Sequence, residues 1–216
     1  ALISAFSSQG IDPKLKLKDL SKKIVIPTIN LEDKKLHRWR LESLDNLSAA
    51  NEDLLLIDAI MRSTAAPTYF PSYQDCIDGG MGANDPSILA YCSYQAALKK
   101  NTNITLLSIG TGFTDHFIEK NENWGAFSWI LDLHSSHATK SPLMSLLFDV
   151  QEQLSAQLAA LLLKDSFYKL DLKLDQAVSL NDTSQIPLLI KKTKETIKAH
   201  PKQWDISCSW VEEHFL

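Results

Sequence analysis

The chain has 216 residues, of which 44% are hydrophobic and 22% are charged, with 7 glycines and 8 prolines. These proportions are those of a globular protein, and they exclude a disordered, collagen-like or low-complexity chain. Because 26 acidic residues outnumber 22 basic ones, the net charge is −4, and the chain lacks the basic excess that nucleic-acid binding requires. No linker or repeat divides the sequence, so we expect a single domain over residues 1–216.

The first predicted elements are a strand and a helix. The β-branched run over residues 24–29 predicts a strand, and Pro27 within it favours an end or edge position because proline cannot donate to a neighbouring strand. Apolar residues at helical spacing over residues 54–64 then predict a helix that Asn51 or Asp53 caps.

The middle of the chain predicts the fold class. A short strand through Cys76 and Ile77 is followed by a turn and by a helix that Pro86 opens, a position where proline is favoured. The apolar run over residues 104–109 is typical of a strand buried on both faces, with other strands on each side. Since strand, helix and strand alternate, we expect an α/β fold with a mixed, largely parallel sheet flanked by helices.

The C-terminal third predicts a long helix, a strand and a final helix. Ser141 and Pro142 open a helix to about Leu163, whose acidic residues and glutamines exclude a membrane-spanning segment. Alternation over residues 169–174 predicts a strand with one face in water. A helix over residues 186–199 and an irregular tail complete the chain.

No pattern in the sequence indicates a metal or an organic cofactor, and we expect neither. The three cysteines are widely spaced without a CxxC pair, which argues against a disulfide framework and a zinc cluster. His134 and His137 offer only two ligands in a polar stretch. Gly110 and Gly112 lack the third glycine of a dinucleotide-binding fingerprint.

The most informative local feature is the tripeptide Asp78-Gly79-Gly80. A carboxylate stands at the end of a predicted strand, and the two residues after it have no Cβ, so the backbone can turn sharply and another group can approach the acid closely. Taken alone, the tripeptide also fits a plain tight turn. We expect Asp78 at the C-terminal end of a sheet strand, in a concave site, with Gly79 or Gly80 in a conformation that other residues rarely adopt.

Three segments in this order resemble the patatin-like phospholipases: residues 62–71 (RSTAAPTYFP), 77–86 (IDGGMGANDP) and 107–112 (LSIGTG). With residues 25–28 and 167–174, the resemblance covers nearly the whole chain. It implies a lipid substrate and the hydrolysis of fatty acyl esters of phospholipids or neutral lipids. It also implies that Asp78 is the base of a Ser/Asp dyad and that Gly79 and Gly80 form the active-site turn.

Two parts of the family's site are missing from this sequence. A patatin-like enzyme needs a glycine-rich oxyanion loop and a G-x-S-x-G turn that carries the serine, and no serine here is flanked by glycines in that way. The chain therefore resembles the C-terminal part of a patatin domain, and its partner is an N-terminal segment that supplies both parts. Asp85 stands where the family commonly has asparagine, a change that should cost little because both residues cap helices.

Two interpretations of the function follow. In the first, the parent protein is a serine acyl hydrolase, and this chain supplies Asp78 but is inactive alone. In the second, the chain is a non-catalytic module that binds a lipid or a protein, or an inert fragment. The apolar and aromatic cluster at 124, 127 and 129–131 either packs in the core or touches a lipid surface. The cysteine usage is compatible with a reducing cytoplasm, so we expect a location in the cytoplasm or at the membrane periphery.

Overall fold

A computed structural model describes residues 2–33, 35–98, 102–115, 125–130, 141–175, 178 and 182–216. Its main elements, in chain order, are α1 (Leu2–Ser8), β1 (Val25–Asp33), β2 (Arg38–Asp45), α2 (Leu56–Ser63), β3 (Cys76–Asp78), α3 (Gly80–Ala83), α4 (Ser87–Ala97), β4 (Leu106–Ile109), α5 (Ala126–Ile130), α6 (Pro142–Leu163), β5 (Phe167–Leu170), α7 (Ile186–Ala199) and α8 (Pro201–Phe215). Helices are combined with one antiparallel sheet and one parallel strand pair, which confirms the predicted α/β class.

The chain divides into two compact units. The first contains Ala1–Asn103 and Gln151–Ser155, and the second contains Ile104–Val150 and Ala156–Leu216. Helix α6 thus contributes to both units. The expectation of a single domain over residues 1–216 stays a prediction.

The first unit is built on a three-stranded antiparallel sheet in the order β2-β1-β3. Pro27 therefore lies in the central strand but near its start, so the predicted end position is met and the predicted edge position is not. However, β3 ends at Asp78, opposite Thr28, one position short of Pro27. Proline is tolerated there because the ladder with β3 has already ended and needs no further donor.

The core of the first unit lies where α2 packs against the sheet. Leu17, Leu44 and Ala59 are almost completely buried, and smaller contributions come from partly buried apolar residues around them. Those residues are Leu20, Ile24, Ile26, Leu54 and Leu56. Burial of apolar area supplies the main stabilising free energy of such a unit.

The polar residues before α2 do not cap it, so the predicted caps are wrong. The Asn51 amide donates instead to the carbonyl of Ser43 in β2 at 3.0 Å. The Asp53 carboxylate accepts hydrogen bonds from Lys16 and Lys18, both at 2.8 Å. Both residues therefore connect distant segments of the first unit.

Asp53 makes the stability of the first unit depend on pH. Hydrogen bonds from Lys16 and Lys18 and the charges of these lysines lower the pKa of Asp53 to about 2. Because this folded-state pKa is below the unfolded value, the stabilisation is fully present above about pH 4 and is lost as the pH falls towards 2.

We therefore expect Asp53→Asn to lower the Tm at pH 7, and the difference from wild type to fall by roughly half at pH 3. Thermal melts followed by circular dichroism at both pH values measure this difference. The matched control is Asp205→Asn, because Asp205 is exposed on α8. A Tm difference for Asp53→Asn that stayed constant between pH 7 and pH 3 would contradict the prediction.

The second unit contains the parallel pair of β4 and β5. Pairing continues beyond both strands, because the Phe113 N–H donates to the Leu172 carbonyl at 2.9 Å and the Leu174 N–H donates to the Phe113 carbonyl at 2.7 Å. Within the described residues β4 pairs only with β5, and Ile109 is 71% exposed. The expectation that β4 is an interior strand with a neighbour on each side is therefore not met in this part of the chain.

The C-terminal tail is helical, contrary to the predicted irregular segment. Helix α7 covers the predicted residues 186–199, and α8 follows at once, with Pro201 in its first turn, where proline is favoured. The Trp210 ring stacks on Tyr168 of β5 with a centroid distance of 5.3 Å, and its Nε1 donates to the Asp165 carbonyl at 2.9 Å. These contacts fix α8 on β5.

Helix α6 presents leucines to solvent and polar residues to the protein. Its exposed apolar residues, each 39–74% exposed, are Leu143, Leu146, Leu147, Val150, Leu154, Leu158, Leu161 and Leu162. An ordinary surface helix turns its apolar stripe to the core, so the polarity of α6 is reversed. None of the helices in the described ranges combines the length and apolarity that crossing a bilayer requires.

Candidate active site

Asp78 is the last residue of β3, as predicted, and its side chain is half-buried. Its backbone N–H donates to the Ala65 carbonyl at 3.1 Å, and the Gly79 N–H donates to the Ser63 carbonyl at 3.3 Å. The end of α2 and the loop after it are therefore fixed against the end of β3. β3 is a short antiparallel strand, so Asp78 does not lie on the parallel pair.

The turn after β3 holds the Asp78 carboxylate. Its Oδ1 accepts a hydrogen bond from the Gly80 N–H at 2.7 Å. Among the described residues, Oδ2 accepts none. One carboxylate oxygen is thus fixed, while the other remains available to accept a proton. The cleft predicted beside Asp78 stays a prediction.

Gly79 is required by close packing rather than by an unusual backbone conformation. Its φ of −65° and ψ of −22° are open to any residue, so the predicted unusual conformation is wrong for Gly79. A Cβ at this position would lie 2.1 Å from the carbonyl oxygen of Pro27 and 2.4 Å from its carbonyl carbon. The β1 backbone therefore comes so close to the turn that only glycine fits.

Gly80 leaves room for the carboxylate itself. A Cβ there would lie 3.2 Å from Oδ1 of Asp78, which is tighter than most contacts of a Cβ, and at an ordinary van der Waals distance of 3.5 Å from Oδ1 of Asn84. Gly80 begins α3, so its predicted unusual conformation is also wrong. Both glycines serve the close approach of neighbouring groups that the tripeptide predicts.

Asp85 caps α4, in agreement with the expectation for an aspartate at a position where asparagine is common. Its Oδ1 accepts from the Ser87 N–H at 2.9 Å, and both residues are buried. Aspartate and asparagine satisfy such a donor about equally well. The expectation that this departure from the family pattern costs little stays a prediction.

Helix α6 fixes the segment between the Asp78 turn and α4. Three side chains of the α6 segment Gln151–Ser155, which belongs to the first unit, form hydrogen bonds with it. These are Gln151 Nε2 to the Met81 carbonyl at 3.1 Å, Ser155 Oγ to the Asp85 carbonyl at 2.8 Å, and Asn84 Nδ2 to Glu152 Oε2 at 3.4 Å. Sequence reasoning missed this support, although the polar residues at 151, 152 and 155 share one helical face.

The Gly-Thr-Gly turn after β4 is a structural turn. Gly112 has a φ of 100° and donates its N–H to Oδ1 of Asp171 at 2.9 Å. A Cβ at Gly110 would lie 2.3 Å from Cγ of Asp171. Gly110 is therefore explained by the Asp171 carboxylate, and Gly112 by its positive φ and by Leu174, whose Cδ1 would lie 2.8 Å from a Cβ there. The turn needs no nucleotide to account for it.

The structure describes only some of the other candidate residues. His134, His137, Trp124 and Leu131 lie outside the described residues. In α5, Phe127 is 77% exposed and Ile130 is 58% exposed, so neither packs in a core. In the parts of the chain that the structure describes, no group of three or more metal-ligating side chains comes together.

Comparisons with known proteins find relatives named as hydrolases, patatin-like proteins and a phospholipase. The chain is 28% identical to CotR of Bacillus subtilis, which carries the name of a sporulation hydrolase, over 91% of this chain and 67% of that protein. It is 25% identical to Patatin-like protein 1 of Arabidopsis thaliana over 81% of this chain and 48% of that protein. It is 30% identical to a cGAMP-activated phospholipase of Escherichia coli over 45% of this chain and 30% of that protein. No model of a protein family matches the chain.

Proposed function

The chain belongs to the patatin-like proteins, and on that premise we propose that it is the acid-bearing part of a lipid acyl hydrolase with a Ser/Asp dyad. Asp78 is the base of the dyad, and Gly79 and Gly80 form the turn that positions it. The chain spans about half to two thirds of the length of CotR and Patatin-like protein 1, so the serine and the oxyanion loop belong to a further segment.

The geometry of the Asp78 carboxylate carries this proposal. One oxygen is fixed by the Gly80 N–H at 2.7 Å, and within the described residues the other accepts no hydrogen bond. By contrast, Asp33 uses both oxygens, one for the backbone N–H groups of Lys35 and Leu36 and one for Arg40. A carboxylate held on one side and open on the other suits a general base.

In the proposed reaction, the serine hydroxyl attacks the carbonyl of a fatty acyl ester while its proton passes to Asp78. Backbone donors of the nucleophile-bearing segment hold the oxyanion. The tetrahedral intermediate then expels the alcohol, which takes the proton from Asp78, and an acyl-serine remains. Asp78 next takes a proton from water, which attacks the acyl carbonyl, and the fatty acid leaves as the serine regains its proton.

The reversed polarity of α6 supports the need for a complementary segment. Soluble proteins rarely leave a long apolar stripe in water, so the outward leucines call for another surface to cover them. Helix α6 contains no lysine or arginine, the residues that draw interfacial helices to anionic lipids. The proposed occupant of this face is therefore the nucleophile-bearing segment rather than a membrane.

Contact with the lipid surface is assigned to α5 in this proposal. Phe127 and Ile130 are exposed, and large apolar side chains of this kind insert into a lipid interface. The proposed enzyme thus works in the cytoplasm or at the membrane periphery, where lipid degradation requires it to meet its substrate.

We expect the 216-residue chain alone to hydrolyse a p-nitrophenyl fatty ester no faster than background, and the complete protein with a G-x-S-x-G segment to hydrolyse it. The reason is that Asp78 without a serine offers only general-base help to water. Release of p-nitrophenol measures both rates. Turnover by the chain alone that disappears in Asp78→Ala would show that a nucleophile lies within these residues.

The second candidate function is a non-catalytic module that binds a lipid or a protein. One observation favours it, because the 216 residues contain no G-x-S-x-G turn. A complete, folded protein that lacks this motif and shows no ester hydrolysis would decide for the module.

A further inference from the structure

A cavity of about 560 Å³ lies in the first unit near Cys76, at the end of β3 away from Asp78. Its charged lining residues are Glu32, Asp33, Lys35, Arg40, Arg62 and Asp75. We propose that this cavity binds a small zwitterion that combines a phosphate group with an ammonium group. The proposal does not depend on ester hydrolysis, because the dyad uses none of these residues.

One wall of the cavity is a closed ion network. Arg40 contacts Asp33 through Nε at 2.9 Å and Glu42 through Nη2 at 2.6 Å. Backbone hydrogen bonds from Leu36 and Lys35, with smaller help from the charge of Arg40, hold the pKa of Asp33 below its usual value. Arg40 thus serves two carboxylates, and the trio keeps one net negative charge, while Nδ2 of Asn30 also donates to Glu42 at 3.0 Å. Because these side chains bind one another, this wall is structural and leaves ligand binding to other groups.

Arg62 is held in place without a carboxylate partner. Its Nε and Nη2 donate to Oε1 of Gln74 at 2.9 and 2.6 Å. A neutral amide fixes the guanidinium plane but leaves its charge uncompensated. In the part of the chain that the structure describes, Arg62 forms no ion pair, so Nη1 and one N–H of Nη2 remain for a ligand. This planar set of donors matches the oxygens of a phosphate.

The turn that carries Gln74 is a tight hairpin turn that is rigidly attached. Gln74 and Asp75 have φ values of 50° and 58°, in the left-handed region that residues with a Cβ rarely adopt. Tyr73, just before them, donates its hydroxyl to Asp58 at 2.7 Å, one helical turn before Arg62 in α2. Positive φ values at both central residues are usual in a two-residue hairpin turn, which hydrogen bonds between Tyr73 and Cys76 close here at 2.9 and 3.0 Å. The turn is therefore a firm support for Gln74.

Three more charged side chains line the cavity without an ion pair among the described residues: Lys35, Glu32 and Asp75. Together with Arg62, they provide two positive and two negative charges, none of which forms an ion pair within the described residues. A plain anion would meet the two acids, and a plain cation would meet Arg62 and Lys35. A ligand with both charges has a partner for each, which is why a zwitterion fits best.

The test measures binding to the full chain by isothermal titration calorimetry. The probes are phosphoethanolamine, inorganic phosphate and ethanolamine. We expect phosphoethanolamine to bind at least about threefold more tightly than either single-charge probe, because it alone engages both kinds of charge. Absence of saturable phosphoethanolamine binding would overturn the proposal.

Four variants assign the binding to this cavity. Arg62→Gln should weaken phosphoethanolamine binding at least about tenfold, whereas Arg38→Gln, an exposed arginine outside the lining, should change it less than about twofold. Glu32→Gln should remove the preference for phosphoethanolamine over phosphate. Lys35→Gln changes an exposed side chain and should weaken phosphoethanolamine binding about threefold. This variant keeps the test decisive if circular dichroism shows that Arg62→Gln does not fold. Equal effects of Arg62→Gln and Arg38→Gln would refute the site.

The same chemistry occurs in a free metabolite and in a lipid headgroup, and a vesicle assay separates these sources. Co-sedimentation with phosphatidylethanolamine vesicles that phosphoethanolamine competes away, and that Arg62→Gln abolishes, identifies a headgroup. Binding of phosphoethanolamine without vesicle binding identifies a free zwitterion. Both results support the cavity, whereas vesicle binding that Arg62→Gln leaves unchanged arises elsewhere and contradicts the headgroup source.

Discussion

Replacement of Asp78 by asparagine in the complete protein is expected to lower kcat at least about 10²-fold while KM changes little. The amide oxygen can still accept the hydrogen bond that Gly80 donates to Oδ1, so the turn keeps its shape. The amide cannot take a proton at neutral pH, however, and the serine loses its base. Initial rates with a p-nitrophenyl fatty ester over a range of concentrations give both constants.

The matched control is Asp85→Asn, seven residues further along the same segment. Asp85 caps α4 through the Ser87 N–H, and asparagine caps equally well, so kcat should stay within about twofold of wild type. A correctly folded Asp78→Asn protein that kept more than about a tenth of the wild-type kcat would defeat the dyad, because a general base typically contributes about 10² to 10⁴-fold.

Replacement of Gly79 by alanine is expected to lower the free energy of unfolding by at least about 2 kcal/mol. The added Cβ would lie 2.1 Å from the carbonyl oxygen of Pro27, and a backbone group in a paired strand cannot rotate away as a side chain can. Urea denaturation followed by circular dichroism measures the change.

Gly125→Ala is the control for Gly79→Ala, because a Cβ at Gly125 meets no atom of the described residues within 4 Å. We expect this control to change the free energy of unfolding by less than about 0.5 kcal/mol. If Gly79→Ala lowered the free energy of unfolding no more than Gly125→Ala does, the conclusion that β1 closely approaches the turn would be wrong.

The sequence predicts local features of the site well because they depend on neighbouring residues. A carboxylate at the end of a short strand and a capped helix after it follow from Asp78, Asp85 and Pro86, and the structure has both. The catalytic role of Asp78 stays a prediction. It rests on the family resemblance and on a carboxylate that is open on one side.

Features that depend on distant residues could not be predicted. The antiparallel pairing of β3 depends on a strand some 50 residues earlier, and periodicity does not report strand direction. Likewise, nothing local to Gly79 shows that Pro27 lies against it. Helix α8 was missed because its stabilising contact, the Trp210 ring on Tyr168, joins residues far apart in the chain.

The outward leucines of α6 also affect how the oligomeric state of the isolated chain should be interpreted. From Leu143 to Leu161 they form a stripe about 27 Å long, which two copies can bury by placing their stripes face to face. Such a dimer competes with the nucleophile-bearing segment for the same surface. Addition of that segment should therefore convert the dimer into a complex with one copy of each. Size-exclusion chromatography of the isolated chain thus becomes a binding assay for the proposed nucleophile-bearing segment, independent of any substrate.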